Sequence, residues 1–344
     1  MPGELPLPPH VDLGRVGEVW RVDYEARFGD ASVWAAEHGL TAAAQDERRV
    51  CLLAVDVQNT FCTPGFELFV AGRSGTGALD DSRRLCGFVY HNLAAITEAV
   101  VTLDTHQAFQ IFHAPFLVDS DGRHPDPYTL ITAADVASGH WRVDPDAAVT
   151  LGLERADGHL ASYVQALADG GKYDLAMWPF HAMLGGIGHA LVSALEEAFF
   201  FHAISRRSQT RFEIKGRHAL TEHYSVLGPE VTRGSAGEAL GKPNTALVEQ
   251  LASFDAIVVA GQAKSHCVAW TVDDLLHDVP DLAGRLYLLE DCTSPVVVPG
   301  AVDYSDDARE AFERFAEAGA HLVRTTDPMA TWPGPIAETT VVGP

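Results

Sequence analysis

Residues 257–276 read IVVAGQAKSHCVAWTVDDLL, and two patterns meet inside them. The first is the apolar run Ile257-Val258-Val259-Ala260, rich in β-branched residues and too short for a helix. A strand covered on both faces of a parallel sheet reads this way. Gly261 breaks the run, and Gln262 to His266 make a short polar turn. From Cys267 onward Val268, Val272, Leu275 and Leu276 recur at helical spacing. Cys267 thus stands where a buried strand hands over to a helix, at the carboxyl edge of the sheet, along which open α/β sheets bind their ligands. A thiol at a helix N-terminus faces unpaired N–H groups and the positive end of the dipole, both of which favour thiolate. The position suits a nucleophile. It also suits a free Cys serving as a small core hydrophobe, and the stretch alone leaves both readings open.

The same alternation extends on either side. Upstream, Val50 to Asp56 and Ala99 to Asp104 read as buried strands ending on an acid, with a helix expected over Leu85 to Ala99 between them. Gly188 to Ala203 and Asn244 to Ala252 read as helices, and Thr210 to Lys215 as a strand with Lys215 at its end. Downstream, Leu286 to Leu289 and His321 to Arg324 supply strands around a helix over Asp306 to Ala318. Repeated β-α-β units imply an α/β fold: one doubly wound, mostly parallel sheet of about six strands, flanked by helices through right-handed crossovers. Residues 49–327 form this domain. An insertion at about 114–175 shows no obvious strand and one helix near Gly158 to Ala168. Connections this long are usually lids or binding elements, so it is expected to narrow the pocket and set substrate choice. Residues 1–48 form a Pro-rich extension expected to pack on the main domain or a partner subunit, and 328–344 form a tail.

Bulk properties exclude several classes. The chain has 344 residues, 47% of them hydrophobic, with 24 basic against 47 acidic side chains and a net charge of −23. The acidic balance and the lack of a basic cluster argue against nucleic acid and anionic membranes as partners. No apolar run reaches the roughly 18–20 residues that span a bilayer, and the start, MPGELPLPPH, lacks signal-peptide character. Five cysteines without a CxxC pair argue against a disulfide scaffold and for a reducing cytoplasm.

Three strand ends carry Asp56, Lys215 and Cys267, which a parallel sheet could bring to one edge. A carboxylate beside a thiol can take its proton, and an ammonium beside both favours the ionised pair. Equally, an acid at a strand end can be a helix cap and a lysine there merely solvated. A second group follows the next strand: Asp104-Thr105-His106, with His113 seven residues on and His181 closing Trp178-Pro179-Phe180-His181. One carboxylate and two or three imidazoles suit Zn²⁺, Fe²⁺ or Mn²⁺. Among 16 histidines a D-x-H also arises by chance, and His124, His159 and His189 are expected at the surface.

In their order, DVQNTF (56–61), TLDTH (102–106), WPFH (178–181), IKG around Lys215 and AGQAKSHCV (260–268) resemble the nicotinamidase branch of the isochorismatase-like cysteine hydrolases. The resemblance covers roughly residues 50–325 in patches. It implies an Asp56–Lys215–Cys267 triad, a cis bond between Gln262 and Ala263, and an oxyanion hole from the N–H groups of Ala263 and Cys267. It further implies a divalent metal on Asp104, His106 and His181, with His113 near a further ligand's place, and Phe61 and Trp178 as walls for a ring. The activity implied is hydrolysis of a small, nicotinamide-like carboxamide to acid and ammonia through a thioester, in a cytoplasmic homo-oligomer. The rivals are cleavage of a non-aromatic amide, ureide or vinyl ether by another hydrolase of that superfamily, and a non-catalytic descendant that binds a small ligand. The long insertion and the extension depart from compact nicotinamidases.

Overall fold

The structure, a computed structural model, describes residues 3–336. Six parallel strands, β1 (Val50–Val55), β2 (Glu98–Asp104), β3 (Arg211–Lys215), β4 (Ala256–Gly261), β5 (Leu286–Leu289) and β6 (His321–Val323), lie in the order β6-β5-β4-β1-β2-β3. All six residues of β1 and of β4 are buried, as their β-branched, apolar composition requires at the centre of a sheet covered on both faces. Alternation along β1 serves two cores. Leu52 and Ala54 pack with helices α2 (Gly77–His91) and α4 (Ser193–Arg206). Cys51, Leu53 and Val55 pack with α5 (Thr245–Ala252), α6 (Cys267–Asp278) and α7 (Ser305–Glu317). The doubly wound α/β architecture is therefore as the sequence implies. Among the described residues no helix is long and apolar enough to cross a membrane.

Register fixes the site. Val55 pairs with Gly261 across β1 and β4, and Asp104 with Lys215 across β2 and β3. The ends of four strands therefore meet at one edge. Gly261 is needed there: at φ 113° a Cβ would lie 2.0 Å from the carbonyl oxygen of Val55.

Two helices shift from their expected spans. The one expected over 85–99 is Gly77–His91; it keeps Leu85, Phe88 and Val89 on its buried face, but stops where the N–H and the side-chain amide of Asn92 both donate to the Phe88 carbonyl. The one expected from Gly188 starts at Ser193, because the backbone of 188–192 is bonded to the β1–α2 loop: Asn59 N–H to Ala190 O (2.8 Å) and Thr60 N–H to Gly188 O (2.9 Å).

The extension holds helix α1 (Tyr24–Glu37), which packs on α4, and buried Arg206 bonds Asp46 beside it. The insertion is not strandless: Leu117–Val118 pairs with Arg142–Val143 and Leu130–Ile131 with Leu175–Ala176, both antiparallel. It includes α3 (Ala156–Asp169) and buries Phe116, Trp141, Leu160, Tyr163 and Leu167 in the core above the sheet. Trp332 of the tail stacks against Phe88 and Tyr287, and the expected tail beyond 336 lies outside the described residues, as do residues 1–2 of the extension.

Candidate active site

Beyond β1 the chain turns sharply at Asp56, which stands in the left-handed region (φ 47°), a conformation Asp tolerates better than most residues. Its N–H donates to Thr102 Oγ1 (2.9 Å), and that hydroxyl donates back to Asp56 Oδ1 (2.5 Å). The other oxygen faces Lys215 Nζ at 2.9 Å. Lys215, at the end of β3, also lies 3.5 Å from Cys267 Sγ and 3.1 Å from Asp104 Oδ1, and donates to the His223 carbonyl at 2.9 Å. The three candidate catalytic side chains are thus gathered around the Lys215 ammonium, and all are buried.

Burial works against the Lys215 ammonium, but Asp104 and Asp56 outweigh it and hold its pKa well above the ordinary lysine value. Burial raises Asp56, with Lys215 pulling the other way. Burial also pushes the Cys267 thiol well up; Lys215 opposes the shift, while Asp56 and Asp104 reinforce it. The helix N-terminus and Lys215 favour thiolate, while desolvation and the two carboxylates act against it and leave the thiol's pKa raised.

The bond between Gln262 and Ala263 is cis. Gln262 is anchored through its side chain, donating to Asp81 Oδ2 (2.9 Å) and accepting from the Ser294 N–H (3.2 Å). Among the described residues no protein group accepts from the N–H of Ala263 or of Cys267. Both residues line one pocket. Phe61 and Trp178 supply aromatic walls and Leu68, Val70, Phe112 and Val296 apolar ones, while His266, buried and pushed down to about 3, adds a neutral ring. None of the other four cysteines lines this pocket, and burial raises the thiol pKa of each.

Beside the pocket, ligand atoms of His106, His113 and His181 lie within 4.8 Å of one another, all three residues buried. Each ring turns Nδ1 to a backbone carbonyl: His106 to His181 O (3.2 Å), His113 to Gln107 O (3.1 Å) and His181 to Pro179 O (2.8 Å). Nδ1 therefore carries a proton in each ring, and each Nε2 turns toward the others. His113 Nε2 has no partner; His106 Nε2 sits 3.1 Å from Asp104 Oδ1, and His181 Nε2 3.9 Å from Asp104 Oδ2. Burial keeps His181 and His113 neutral, lowering His113 to about 4. Three convergent imidazoles with their N–H groups fixed by carbonyls fit a first-row divalent ion, and Asp104, shared with Lys215, stands at the edge of the set. Gly216, after Lys215, makes room: at φ 81° a Cβ would lie 2.5 Å from Asp104 Oδ1.

The predicted ligands Asp104, His106 and His181 are therefore together, and His113 joins them. His159 is not at the surface; it is buried, with Nε2 against Leu220 O (3.1 Å), and half-buried His189 bonds Thr105 Oγ1 (2.8 Å), while His124 is exposed. Sequence reading missed Glu222 and Tyr224, which line the pocket from an irregular loop with no periodicity to mark them.

No protein-family model matches the chain, and no characterised protein matches it in sequence. Solved structures do. The yeast nicotinamidase Pnc1p superposes with a TM-score of 0.50 at 17% identity, over 80% of this chain and 99% of its own. A nicotinamidase/pyrazinamidase of Acinetobacter baumanii superposes with a TM-score of 0.49 at 19% identity, over 82% of this chain and 99% of its own. The chain has the fold of the nicotinamidases and pyrazinamidases, the isochorismatase-like α/β architecture.

Proposed function

We propose that the chain is a cysteine amidohydrolase that cleaves a small, nicotinamide-like carboxamide to the acid and ammonia. The observation that supports this reading most directly is a single lysine nitrogen touching both a buried carboxylate and a thiol, 2.9 and 3.5 Å away, beside two unpaired backbone N–H groups in a pocket. In the reaction, Asp56 takes the thiol proton as Cys267 Sγ bonds to the carbonyl carbon. A carboxylate raised by burial is a stronger base than a free one. The oxyanion rests on the N–H groups of Ala263 and Cys267. Asp56 returns the proton to the amide nitrogen, the C–N bond breaks, and ammonia leaves a thioester. Water, deprotonated by Asp56, adds to the thioester; the C–S bond breaks, the acid is released and the sulfur regains its proton. Lys215 stays charged throughout and keeps Asp56 and Cys267 in register.

Asp104, His106, His113 and His181 would hold a divalent ion, which supplies a Lewis-acid anchor for a substrate donor atom. Phe61 and Trp178 then bracket an aromatic ring. The test is ammonia release from a panel of carboxamides by purified protein and by Cys267→Ala. Release by the wild type and none by the variant is expected; equal turnover by both would overturn the mechanism.

A further inference from the structure

One wall of the pocket takes no part in that chemistry. Glu222 is 2% exposed and lines the pocket alongside His223, Tyr224 and Trp178. Its Oε1 accepts two hydrogen bonds, from the Tyr224 hydroxyl (2.6 Å) and the Trp178 indole N–H (3.2 Å). Its backbone N–H donates to the Tyr163 hydroxyl on α3 at 2.9 Å. Oε2 has no hydrogen-bond partner among the described residues.

Among the described residues no cation pairs with this carboxyl. Lys172 pairs with Glu230 (3.0 Å), and Lys215 is occupied by Asp56 and Asp104. Burial accordingly pushes Glu222 up to about 8, although the Tyr224 and Trp178 bonds oppose the shift. A group that served only to hold the indole could be an amide, without the cost of a buried acid lacking a counter-ion. A carboxyl with one oxygen fixed by two donors and the other unpartnered at a pocket wall is instead a receptor for a donor that arrives with a ligand. Charge-assisted bonds are the strong ones, so a basic nitrogen is the best complement. The protein's net charge of −23 favours approach of a cation as well.

We propose that Glu222 reads a second polar group on the substrate, so that the pocket selects small carboxamides bearing an additional basic, hydrogen-bond-donating nitrogen, such as an aminomethyl or amidino substituent. The inference rests on the amidohydrolase reading for the carboxamide end, and on Glu222, Tyr224 and Trp178 for the other. On binding, the nitrogen either takes the Glu222 proton or arrives protonated as that proton leaves for solvent; both routes end as an ammonium–carboxylate pair.

The test compares nicotinamide with its aminomethyl and amidino derivatives in two readouts. One is ammonia release, as kcat/KM, by wild type and by Glu222→Gln, which keeps an oxygen for the indole and the tyrosine but cannot ionise. The other is binding by calorimetry to Cys267→Ala, with and without Glu222→Gln. The wild type should favour an amine-bearing amide by about 10–100-fold, a preference that Glu222→Gln largely removes. Binding to Cys267→Ala should show the same preference and the same loss. If no amide is hydrolysed yet binding behaves as described, the hydrolase reading falls and the role of Glu222 stands. If hydrolysis proceeds with no preference for any amine-bearing amide, or with one that Glu222→Gln leaves intact, the inference is overturned. Should Glu222→Gln not fold, Tyr224→Phe replaces it by removing a donor that fixes Oε1. A preference untouched by that change overturns the proposal, and a reduced one supports it.

Discussion

The strand ends and the pocket wall opposite them are built on different principles. Asp56, Asp104, Lys215 and Cys267 sit at or next to the ends of sheet strands or the start of a helix, so regular backbone hydrogen bonding fixes the chain that carries them. Glu222, Tyr224 and Trp178 sit on irregular chain, and side-chain hydrogen bonds and ring packing hold them instead. Glu222 hangs from Tyr163 by its N–H, and its Oε1 ties the Tyr224 hydroxyl to the Trp178 indole. In this reading the rigid edge carries the bond-breaking step, and the softer wall chooses what reaches it.

The sharpest way to break that division is at the edge. Cys267→Ala removes one small side chain and should bring ammonia release to background with the thermal unfolding curve little changed. Iodoacetamide should label Cys267 ahead of the other four cysteines, because only its sulfur borders the pocket. Because burial raises this thiol, its thiolate fraction is small at neutral pH, and the labelling rate should keep climbing with pH through the neutral range without a plateau. A plateau below pH 7 would show a resting thiolate and a different charge balance at the edge.

Next in size, Asp56→Asn and Lys215→Ala should each lower kcat by about 10²–10⁴-fold, the range for a positioned proton-transfer group. Because Lys215 touches both Asp56 and the thiol, the double variant should fall far short of the product of the single losses. Steady-state kinetics on the four proteins decides it; full multiplicativity would mean that the two residues act separately.

These positions were legible in the sequence because a buried strand has a length and an alternation that locate its last residue. All six sheet strands were placed to within a residue or two, and with them Asp56, Asp104, Lys215 and Cys267. Helix ends were harder. Leu93 and Ile96 continue the apolar pattern of α2 but belong to the turn before β2, because Asn92 ends the helix with its own bonds to the Phe88 carbonyl. The groups opposing thiolate were not legible, because helix dipole and lysine are visible in the sequence, whereas burial beside two carboxylates is not. Glu222 could not be found at all: its meaning lies in contacts to Trp178 and Tyr163, 44 and 59 residues away. The insertion was expected to narrow the pocket and set substrate choice, and its Leu160, Tyr163 and Leu167 also lie in the main core, so excising it would strip the fold as well as the pocket.

The histidine cluster joins edge and wall, since Asp104 and His106 follow β2 while His113 and His181 come from loops. Purified protein prepared without chelator should contain about one equivalent of a first-row divalent ion by elemental analysis, lost in His106→Ala. His113→Ala should weaken retention while leaving some metal, because Asp104, His106 and His181 remain. Protein with no bound metal would remove the ion's anchoring role and leave the gathered imidazoles unexplained.

The smallest effect tests the wall alone. Tyr163 reaches the site only through Glu222: its hydroxyl accepts the Glu222 N–H, and its ring belongs to the core under α3. Tyr163→Phe keeps the ring and its packing but leaves that buried N–H without its acceptor, a loss of about 1–3 kcal/mol. Part of this will appear as lower stability. If α3 positions the wall, the rest should appear as a KM raised several-fold on a confirmed substrate, with kcat and the iodoacetamide rate of Cys267 held near wild type. That pattern separates a positioning role from a merely structural one, since lost stability in a still-folded enzyme moves neither constant. A fall in kcat with KM unchanged would mean that the insertion acts on the bond-breaking edge itself, and the division between rigid edge and selecting wall would fail.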